Sequence, residues 1–223
     1  QLLNRSIEAK QSWQRAIEIN IEYFDPYFNL GNLFMSEMNY DLAETFYNKA
    51  AKLKPNNFKI FYQLGFLFMK TRNFEKSYFY FNKSKNLNYN FAPTYYNLGI
   101  ILNNLNKKKA SIDNYKSAVN SNPKYKEAFY SLGITYREIK KYNLSKKTFL
   151  KAIELDQSYP YLKGALRFTK NNICDWENYE KDLADLEVDI KNNKKVVTPW
   201  QGLSLFESPE IQLKNTLLFS EKE

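Results

Sequence analysis

Large apolar residues recur through residues 24–157 at spacings of three, four and seven, with polar residues at the positions between them. These spacings place the apolar side chains on one face of an α-helix. The whole pattern then repeats every 34 residues, in a register marked by Gly31, Gly65, Gly99 and Gly133. A fixed period of this length predicts an array of helical hairpins, each of which buries its apolar face against the next.

The two helices of each predicted hairpin carry different apolar positions. When the glycine is numbered as position 8, position 7 is always leucine, position 4 is always aromatic, and position 11 is aromatic except at Leu102. In the second helix, positions 20 and 27 are always small. Position 24 is always aromatic, occupied by Tyr47, Phe81, Tyr115 and Phe149. This pattern resembles the tetratricopeptide repeat, with repeats at residues 24–57, 58–91, 92–125 and 126–157.

The resemblance implies an all-α fold, a right-handed superhelix of antiparallel helix pairs followed by a non-repeat helical extension. Glycine inside a helix costs about 1 kcal/mol relative to alanine, so its return in every repeat indicates close helix packing. Ala9, Trp13 and Ala16 match positions 20, 24 and 27 of an earlier repeat, so residues 1–23 are predicted to be its second helix. Because the chain opens inside a repeat and with Gln1, we expect a cut N-terminus.

Position 6 of each repeat lies on the first helix, which lines the inner surface of such superhelices. Its side chains are all polar, with both donor and acceptor groups, and they belong to Asn29, Gln63, Asn97 and Ser131. Such a row could pair with the backbone of an extended peptide, each hydrogen bond contributing about 0.5–1.5 kcal/mol net. We therefore predict weak binding of protein or peptide partners in a concave groove. The alternative is a solvated polar position beside the Leu-Gly pair.

The composition excludes most kinds of catalytic site. The 223 residues contain no histidine, so neither a Ser-His-Asp triad nor a histidine general base can form. The single Cys174 excludes an internal disulfide and a multi-cysteine metal site. The glycines lie too far apart for a phosphate-binding loop, and no apolar stretch of about 18 residues could cross a membrane. We therefore expect no catalytic residue, no metal, no membrane partner and a cytoplasmic location.

The net charge of +9 raises the possibility of an anionic partner such as nucleic acid. The densest basic runs, residues 107–109 and 194–195, lie in predicted turns and loops and do not alternate with exposed aromatic residues. Solvated lysines on outer helix faces explain the charge as well, and we favour them over a nucleic-acid partner. A clamp for the C-terminal carboxylate of chaperones is not favoured either, because position 2 lacks a consistent base and is Asp25, Lys59, Pro93 and Glu127.

The 34-residue period fails after residue 157. The next glycine would fall at residue 167, which is Arg167 instead. Residues 158–191 are therefore predicted to be a degenerate repeat with transitional helices. Asp175 is a plausible N-cap for a helix that continues to Ile190.

Several segments beyond the repeats form a recognisable set, with Cys174, Asp175 and Trp176 as the junction motif. The others are Tyr159-Pro160-Tyr161-Leu162-Lys163-Gly164, Ile173, Tyr179, Pro199, Leu205 and Ser208-Pro209-Glu210-Ile211-Gln212. Together they resemble the junction of O-GlcNAc transferase-type (SPINDLY-like) protein glycosyltransferases, where a tetratricopeptide superhelix runs through a transitional helix into a two-lobed catalytic domain.

This second resemblance implies a superhelix that presents acceptor polypeptides to a C-terminal glycosyltransferase. The donor would be a nucleotide sugar, UDP-GlcNAc or GDP-fucose, bound in lobes beyond Glu223, so this fragment needs no cofactor of its own. Residues 192–223 would be a linker and the start of the missing catalytic region, with a helix from Ser208-Pro209 onwards that continues through the last residues.

The family holds acceptor peptides with an asparagine ladder, which Asn29 and Asn97 match and from which Gln63 and Ser131 depart. The alternative function is a non-enzymatic tetratricopeptide scaffold or adaptor for protein complexes. For the junction motif, the alternative is simple packing, with a small buried thiol and an anchoring aromatic ring.

Overall fold

Thirteen α-helices and no β-strand occur in residues 2–220, the part of the chain that the structure, a computed structural model, describes; side-chain surroundings are described from residue 7. The all-α prediction is therefore confirmed. The helices are α1 (Leu2–Ile19), α2 (Phe24–Ser36), α3 (Tyr40–Leu53), α4 (Phe58–Lys70), α5 (Phe74–Leu87), α6 (Ala92–Asn104), α7 (Lys108–Ser121), α8 (Lys126–Glu138), α9 (Tyr142–Leu155), α10 (Leu162–Asn171), α11 (Tyr179–Lys191), α12 (Pro199–Leu205) and α13 (Pro209–Ser220).

The chain folds into two compact units, the first ending at Asn106 and the second beginning at Lys107. Within the first unit, α2 packs on α3 and α4 packs on α5 as hairpins, while α4 also contacts α2 and α6. Within the second unit, α8 packs on α9, and α10 contacts both of them. The first helices of successive hairpins thus lie side by side in each unit, as the shared apolar face predicts.

In the first, second and fourth hairpins, the second helix presses an aromatic ring against the backbone of the first helix. A Cβ atom added to Gly31 would lie 2.5 Å from Cε1 of Tyr47, and one added to Gly133 would lie 2.5 Å from Cε1 of Phe149. Any residue larger than glycine would therefore displace the ring. The residues at positions 20 and 27 are all fully buried: Ala43, Ala50, Ser77, Ser84, Ser111, Ala118, Ser145 and Ala152.

Serine takes the place of alanine at position 20 where its hydroxyl reaches a backbone acceptor. Ser77 Oγ donates to the carbonyl of Gly65 at 2.7 Å, and Ser145 Oγ donates to the carbonyl of Gly133 at 2.8 Å. A buried hydroxyl without a partner would cost about 1–3 kcal/mol. These bonds make serine acceptable in the core and tie the two helices of the hairpin together at the glycine.

The turn between the two helices uses a left-handed residue at position 15 of every repeat. Met38, Arg72, Asn106 and Lys140 have φ values of 56°, 59°, 57° and 59°. The turn is closed by backbone hydrogen bonds of the kind that end helices, such as Asn39 N–H to the Phe34 carbonyl at 2.9 Å. None of these four residues is glycine, so the turn carries no glycine signal in the sequence.

Three of the second helices end in an Asx turn at position 31. The side chains of Asn88, Asn122 and Asp156 accept hydrogen bonds from the backbone N–H group two residues further on, at 3.0, 3.1 and 2.8 Å. This local bond stops the helix by offering the backbone another partner. Asp156 also forms an ion pair with Lys126 at 2.6 Å, which joins the end of α9 to the start of α8.

The stability of the second unit should therefore depend on the ionisation of Asp156. Hydrogen bonds from Lys126 and Ser158 lower the pKa of its carboxyl group to about 2. An aspartate in an unfolded chain has a pKa of about 3.9, so between about pH 2 and about pH 4 the unfolded state binds more protons than the folded state. The stabilisation is present above about pH 4 and is lost as the pH falls through about 2.

Asp156→Asn should flatten the fall of the thermal midpoint between about pH 4 and about pH 2, measured by circular dichroism. Asp113→Asn, at an exposed position of α7, is the matched control and should leave the slope as it is. Parallel curves for Asp156→Asn and the unmodified chain would contradict the assignment.

Arg167 holds the start of the C-terminal extension together. Its side chain is only 1 % exposed, at the place in α10 where the repeats carry glycine. Nε donates to Asn171 Oδ1 at 3.0 Å, Nη1 to Asp182 Oδ2 at 3.0 Å, and Nη2 to the carbonyl of Asp175 at 2.5 Å. The guanidinium carbon also lies 5.0 Å from the ring centroid of Tyr179. At the position where the period would place glycine, α10 therefore carries a buried cation that joins it to the following loop and helix.

The structure corrects two details of the predicted extension. Asp175 is not a helix N-cap, because α11 begins at Tyr179 and the residue before it, Asn178, is left-handed with φ 56°. The short helix α12 was not predicted, although its first turn is fixed locally when the backbone N–H of Thr198 donates to Gln201 Oε1 at 3.3 Å. The helix predicted from Ser208-Pro209 is present as α13, and its expected course through residues 221–223 lies outside the described part of the chain.

A separate apolar core holds the last three helices together. It is formed by Leu186, Ile190, Val196, Val197, Leu205, Phe206, Ile211 and Leu218. The segment before α12 crosses the start of α10, where the Gly164 N–H donates to the Val196 carbonyl at 3.1 Å. A Cβ atom on Gly164 would lie 2.5 Å from that same oxygen, so this glycine allows the close approach.

Candidate functional site

A groove of about 410 Å³ opens in the first unit beside α2, α4 and the start of α3. Most of its residues stand at positions 6, 9, 12 and 13 of the first helices, whose spacings of three, four and seven place them on one helix face. The groove is lined by Asn32, Met35, Ser36, Met38, Tyr40, Tyr47, Gln63, Phe66 and Lys70.

A small polar network stands in this groove, centred on the carboxamide of Asn32. Its Oδ1 atom accepts a hydrogen bond from the Tyr47 hydroxyl at 2.8 Å and another from Gln63 Nε2 at 3.0 Å. Burial raises the pKa of Tyr47, so its hydroxyl stays protonated and donates at physiological pH. Among the described residues, the Nδ2 group of Asn32 and the Oε1 atom of Gln63 have no hydrogen-bond partner. The network therefore presents one fixed donor and one fixed acceptor.

The remaining walls of the groove are mostly apolar and adaptable. Met38 is 74 % exposed, whereas Met35 and Phe66 are partly buried. Methionine has three rotatable side-chain bonds and a polarisable sulfur, so it can adjust to different apolar partners. Lys70 Nζ lies 5.3 Å from the ring centroid of Phe66 and adds a positive charge at the edge of this wall.

The structure places the four residues of the predicted inner row in different surroundings. Gln63 joins Asn32 in the groove. Asn97 is only 4 % exposed, and its Nδ2 group donates to the Tyr62 hydroxyl at 3.2 Å. Asn29 is partly buried in the first unit, and Ser131 is partly buried in the second. The role of this row in peptide binding stays a prediction, and Asn97 in particular is turned to an internal partner.

Sequence reasoning missed Asn32, the residue at the centre of the network. Position 9 is Asn32 only in the first repeat and is Phe66, Ile100 and Ile134 in the others, so the period gives no signal there. The aromatic residue at position 5 of every repeat is a further periodic signal in the sequence. In the first, second and fourth repeats, its ring packs on the aromatic ring at position 24, with centroids 5.9, 5.6 and 5.9 Å apart.

Family comparison places the repeats in a known class. The tetratricopeptide repeat family matches residues 24–57 in one form and residues 58–91, 92–125 and 126–159 in another. Together these matches cover more than half of the chain. The chain belongs to the tetratricopeptide repeat family. Tetratricopeptide repeats indicate a scaffold that binds proteins or peptides, and this agrees with the predicted class of partner.

Solved tetratricopeptide proteins share this fold. YrrB, described as a TPR protein with an unusual peptide-binding site, is 20 % identical with a TM-score of 0.69, covering 92 % of this chain and 97 % of its own. MamA is 22 % identical with a TM-score of 0.66, covering 74 % and 92 %. PilF of Pseudomonas aeruginosa is 15 % identical with a TM-score of 0.73, covering 83 % and 85 %. At these identities the likeness establishes the fold alone, and no curated protein sequence matches the chain.

The tetratricopeptide comparisons give the glycosyltransferase resemblance no support, because the similar structures just described are YrrB, MamA and PilF. At the junction motif, the expectation of a buried thiol is wrong, since Cys174 is exposed. Trp176 is 56 % exposed and meets the ring of Tyr179 edge-on at 5.3 Å, so it is only partly anchored. Asp175 is engaged structurally, through an ion pair with Lys146 at 2.5 Å that lowers the pKa of its carboxyl group.

The described part of the chain has neither a metal-binding cluster nor a membrane-spanning helix. Between residues 7 and 220, no cluster of three or more histidine, cysteine, aspartate or glutamate side chains is arranged to hold a metal ion. Within the same residues, no helix combines the length and apolar character that crossing a bilayer requires.

Proposed function

We propose that the groove of the first two repeats binds an extended polypeptide segment, and that the protein acts through it as a scaffold or adaptor in protein complexes. The observation that carries this proposal is the Asn32–Gln63 pair, held at 3.0 Å with its outer donor and acceptor unused by the described residues. A peptide unit has one N–H donor and one C=O acceptor, and so it complements this pair.

The chemistry of the groove fits a short segment of mixed sequence. Backbone recognition through two carboxamides is independent of the partner's side chains, while Met35, Met38 and Phe66 offer apolar contact to one or two of them. Because Tyr47 and Gln63 hold Asn32 in place, little side-chain entropy is lost when the peptide binds. Affinity is expected to be weak, as predicted from the sequence, which suits a scaffold that assembles partners reversibly.

Removing the carboxamide pair should weaken peptide binding without unfolding the first unit. Dodecapeptides would be selected from a random phage-displayed library against the unmodified chain and measured by fluorescence anisotropy. The double variant Asn32→Ala, Gln63→Ala removes two hydrogen bonds worth about 0.5–1.5 kcal/mol each, so a loss of roughly tenfold in affinity is expected.

The matched control is Gln11→Ala with Asn143→Ala, two exposed carboxamides on α1 and α9. Circular dichroism should show the same helix content for both double variants. Selected peptides that bind the groove variant as tightly as the unmodified chain would rule out this groove as the site.

The finer hypothesis is that the scaffold presents acceptors to a nucleotide-sugar-dependent protein O-glycosyltransferase. It rests on the junction motif, Cys174, Asp175 and Trp176, and on the match of Asn29 and Asn97 to an asparagine ladder. The product of the complete gene would be incubated with a selected peptide and with UDP-GlcNAc or GDP-fucose, and the peptide analysed by mass spectrometry. No transfer from either donor would leave the scaffold function standing alone.

A further inference from the structure

Arg137 lies on α8 of the second unit, at the repeat position that Met35 has in the first unit. It stands at position 12 of its repeat, the position of Met35 and Met69 in the first two repeats, and Met35 lines the groove described above. Helix α8, which carries it, contacts the neighbouring helix α10. The guanidinium carbon of Arg137 lies 5.4 Å from the ring centroid of Phe168 on α10, so the side chain lies across the two helices.

The guanidinium of Arg137 lacks the acceptors that a desolvated cation needs. Its Nη1 atom is buried, and no described residue accepts a hydrogen bond from it. Burial lowers the pKa of Arg137, although a guanidinium stays charged at neutral pH. The acidic residue next to it, Glu138, is engaged in an ion pair with Lys108 at 2.5 Å. Burying an unpaired charge is strongly unfavourable, so this arrangement calls for a physical reason.

Arg137 differs from Arg167, a structural arginine of the same unit, in its hydrogen bonding and in its exposure. Arg167 is 1 % exposed, and its three donor nitrogens each reach an oxygen acceptor within 3.0 Å. Arg137 is more exposed than Arg167 and packs on the face of Phe168. Part of its side chain is open to solvent, so the guanidinium can turn outwards towards a ligand.

We propose that Arg137 is an anion-binding site of the second unit for the carboxylate side chain of an aspartate or glutamate in a partner polypeptide. The inference rests on the proposed function as a polypeptide-binding scaffold, does not require the same segment to occupy the groove of the first unit, and names the partner chemistry as acidic. A carboxylate accepts two parallel N–H bonds from a guanidinium, and such charge-assisted pairs are about twice as strong as neutral hydrogen bonds. The net charge of +9 favours the approach of an acidic segment.

The test uses Arg137→Met, which restores the residue type that position 12 has in the first two repeats. Arg15→Met, at an exposed position of α1, removes the same charge elsewhere and serves as the matched control. Because methionine replaces a desolvated cation, Arg137→Met should keep or raise the thermal midpoint. A lower midpoint together with an unchanged peptide preference would show a structural role and overturn the proposal.

The binding arm uses the dodecapeptides selected from the random library and their variants with each Asp or Glu changed to Asn or Gln. Against the unmodified chain, changing one acidic residue should weaken binding by about tenfold or more. Against Arg137→Met, the same change should have no effect, and the Arg15→Met protein should behave as the unmodified chain. An equal preference for the acidic residue in both backgrounds would overturn the proposal while leaving the proposed groove intact.

A second arm does not depend on peptide binding. Sodium acetate would be titrated at constant ionic strength against sodium chloride, and the arginine Nε–Hε signals followed by NMR with ¹⁵N-labelled protein. The Arg137 signal, assigned by its absence in Arg137→Met, should move at acetate concentrations that leave Arg15 in place. If the Arg137 signal moves but the library selection yields no binding peptide, the anion site is retained and the proposed function is rejected. No movement would overturn the anion site.

Discussion

Replacing Arg167 by methionine is expected to destabilise the second unit by about 3 kcal/mol. The substitution removes the cation from a buried network and leaves the carbonyl of Asp175 and the side chain of Asn171 without their donor. Breaking a buried ion pair from one side typically costs about 3–5 kcal/mol. The lower end applies here, because Lys170 Nζ still lies 2.9 Å from Asp182 Oδ2 and keeps that carboxylate paired.

Trp176 is a local probe for this prediction, since it packs against Tyr179, the ring on which Arg167 lies. With Trp13 and Trp200 changed to phenylalanine, the fluorescence of Trp176 would follow urea unfolding of this region alone. Lys181→Met, at an exposed position of α11, is the matched loss of a charge and should shift the midpoint little. An unfolding curve for Arg167→Met that overlays that of Lys181→Met would show that the network contributes nothing.

Replacing Phe81 by alanine should destabilise the first unit by about 3–5 kcal/mol. Its ring is fully buried, packs with Leu98 and Ile101, and lies edge-on to Tyr62 with centroids 5.6 Å apart. The substitution leaves a cavity at the contact between the two helices of the second hairpin. Phe79→Ala on the same helix is the matched control, because that ring is 62 % exposed and its loss should cost less than about 0.5 kcal/mol.

The Phe81 ring also explains why residue 65 is glycine. The effect of Gly65→Ala on stability should therefore change sign when the ring is removed. A Cβ atom on Gly65 would lie 2.8 Å from Cδ1 of Phe81, so Gly65→Ala alone should cost about 1–3 kcal/mol through overpacking. In the Phe81→Ala background the ring is gone, and alanine gains about 1 kcal/mol of helix propensity over glycine. Gly65→Ala should then be stabilising, as measured by urea unfolding followed with circular dichroism. A destabilising effect in both backgrounds would contradict the steric account.

Features that return in every repeat could be predicted from the sequence, because the same packing need selects the same type of residue at the same position of each repeat. The helices, the buried small residues and the aromatic ring on glycine all belong to this class. Asn32 does not, because a residue that occurs once in the register has the same appearance as any exposed asparagine. Its importance depends on the distance to Tyr47 and Gln63, which lie 15 and 31 residues away in the chain.

The inner row shows a different limit of sequence reasoning. Spacing placed Asn97 correctly on a first helix, but spacing cannot tell whether a polar side chain turns to solvent or to an internal partner such as Tyr62. Arg137 illustrates the reverse case, since nothing in the sequence distinguishes an arginine with satisfied donors from one without. Cys174 is exposed and has a left-handed backbone with φ 53°, a conformation that local propensity does not predict for cysteine.

The left-handed turn at position 15 has a consequence for how the chain folds. A left-handed conformation costs a non-glycine residue about 1–2 kcal/mol, and of Met38, Arg72, Asn106 and Lys140 only the asparagine adopts it readily. We therefore expect the turns at Met38, Arg72 and Lys140 to have little tendency to form in the unfolded chain. In these three hairpins we expect closure to follow contact between the two helices, where the aromatic ring meets the glycine, rather than formation of the loop.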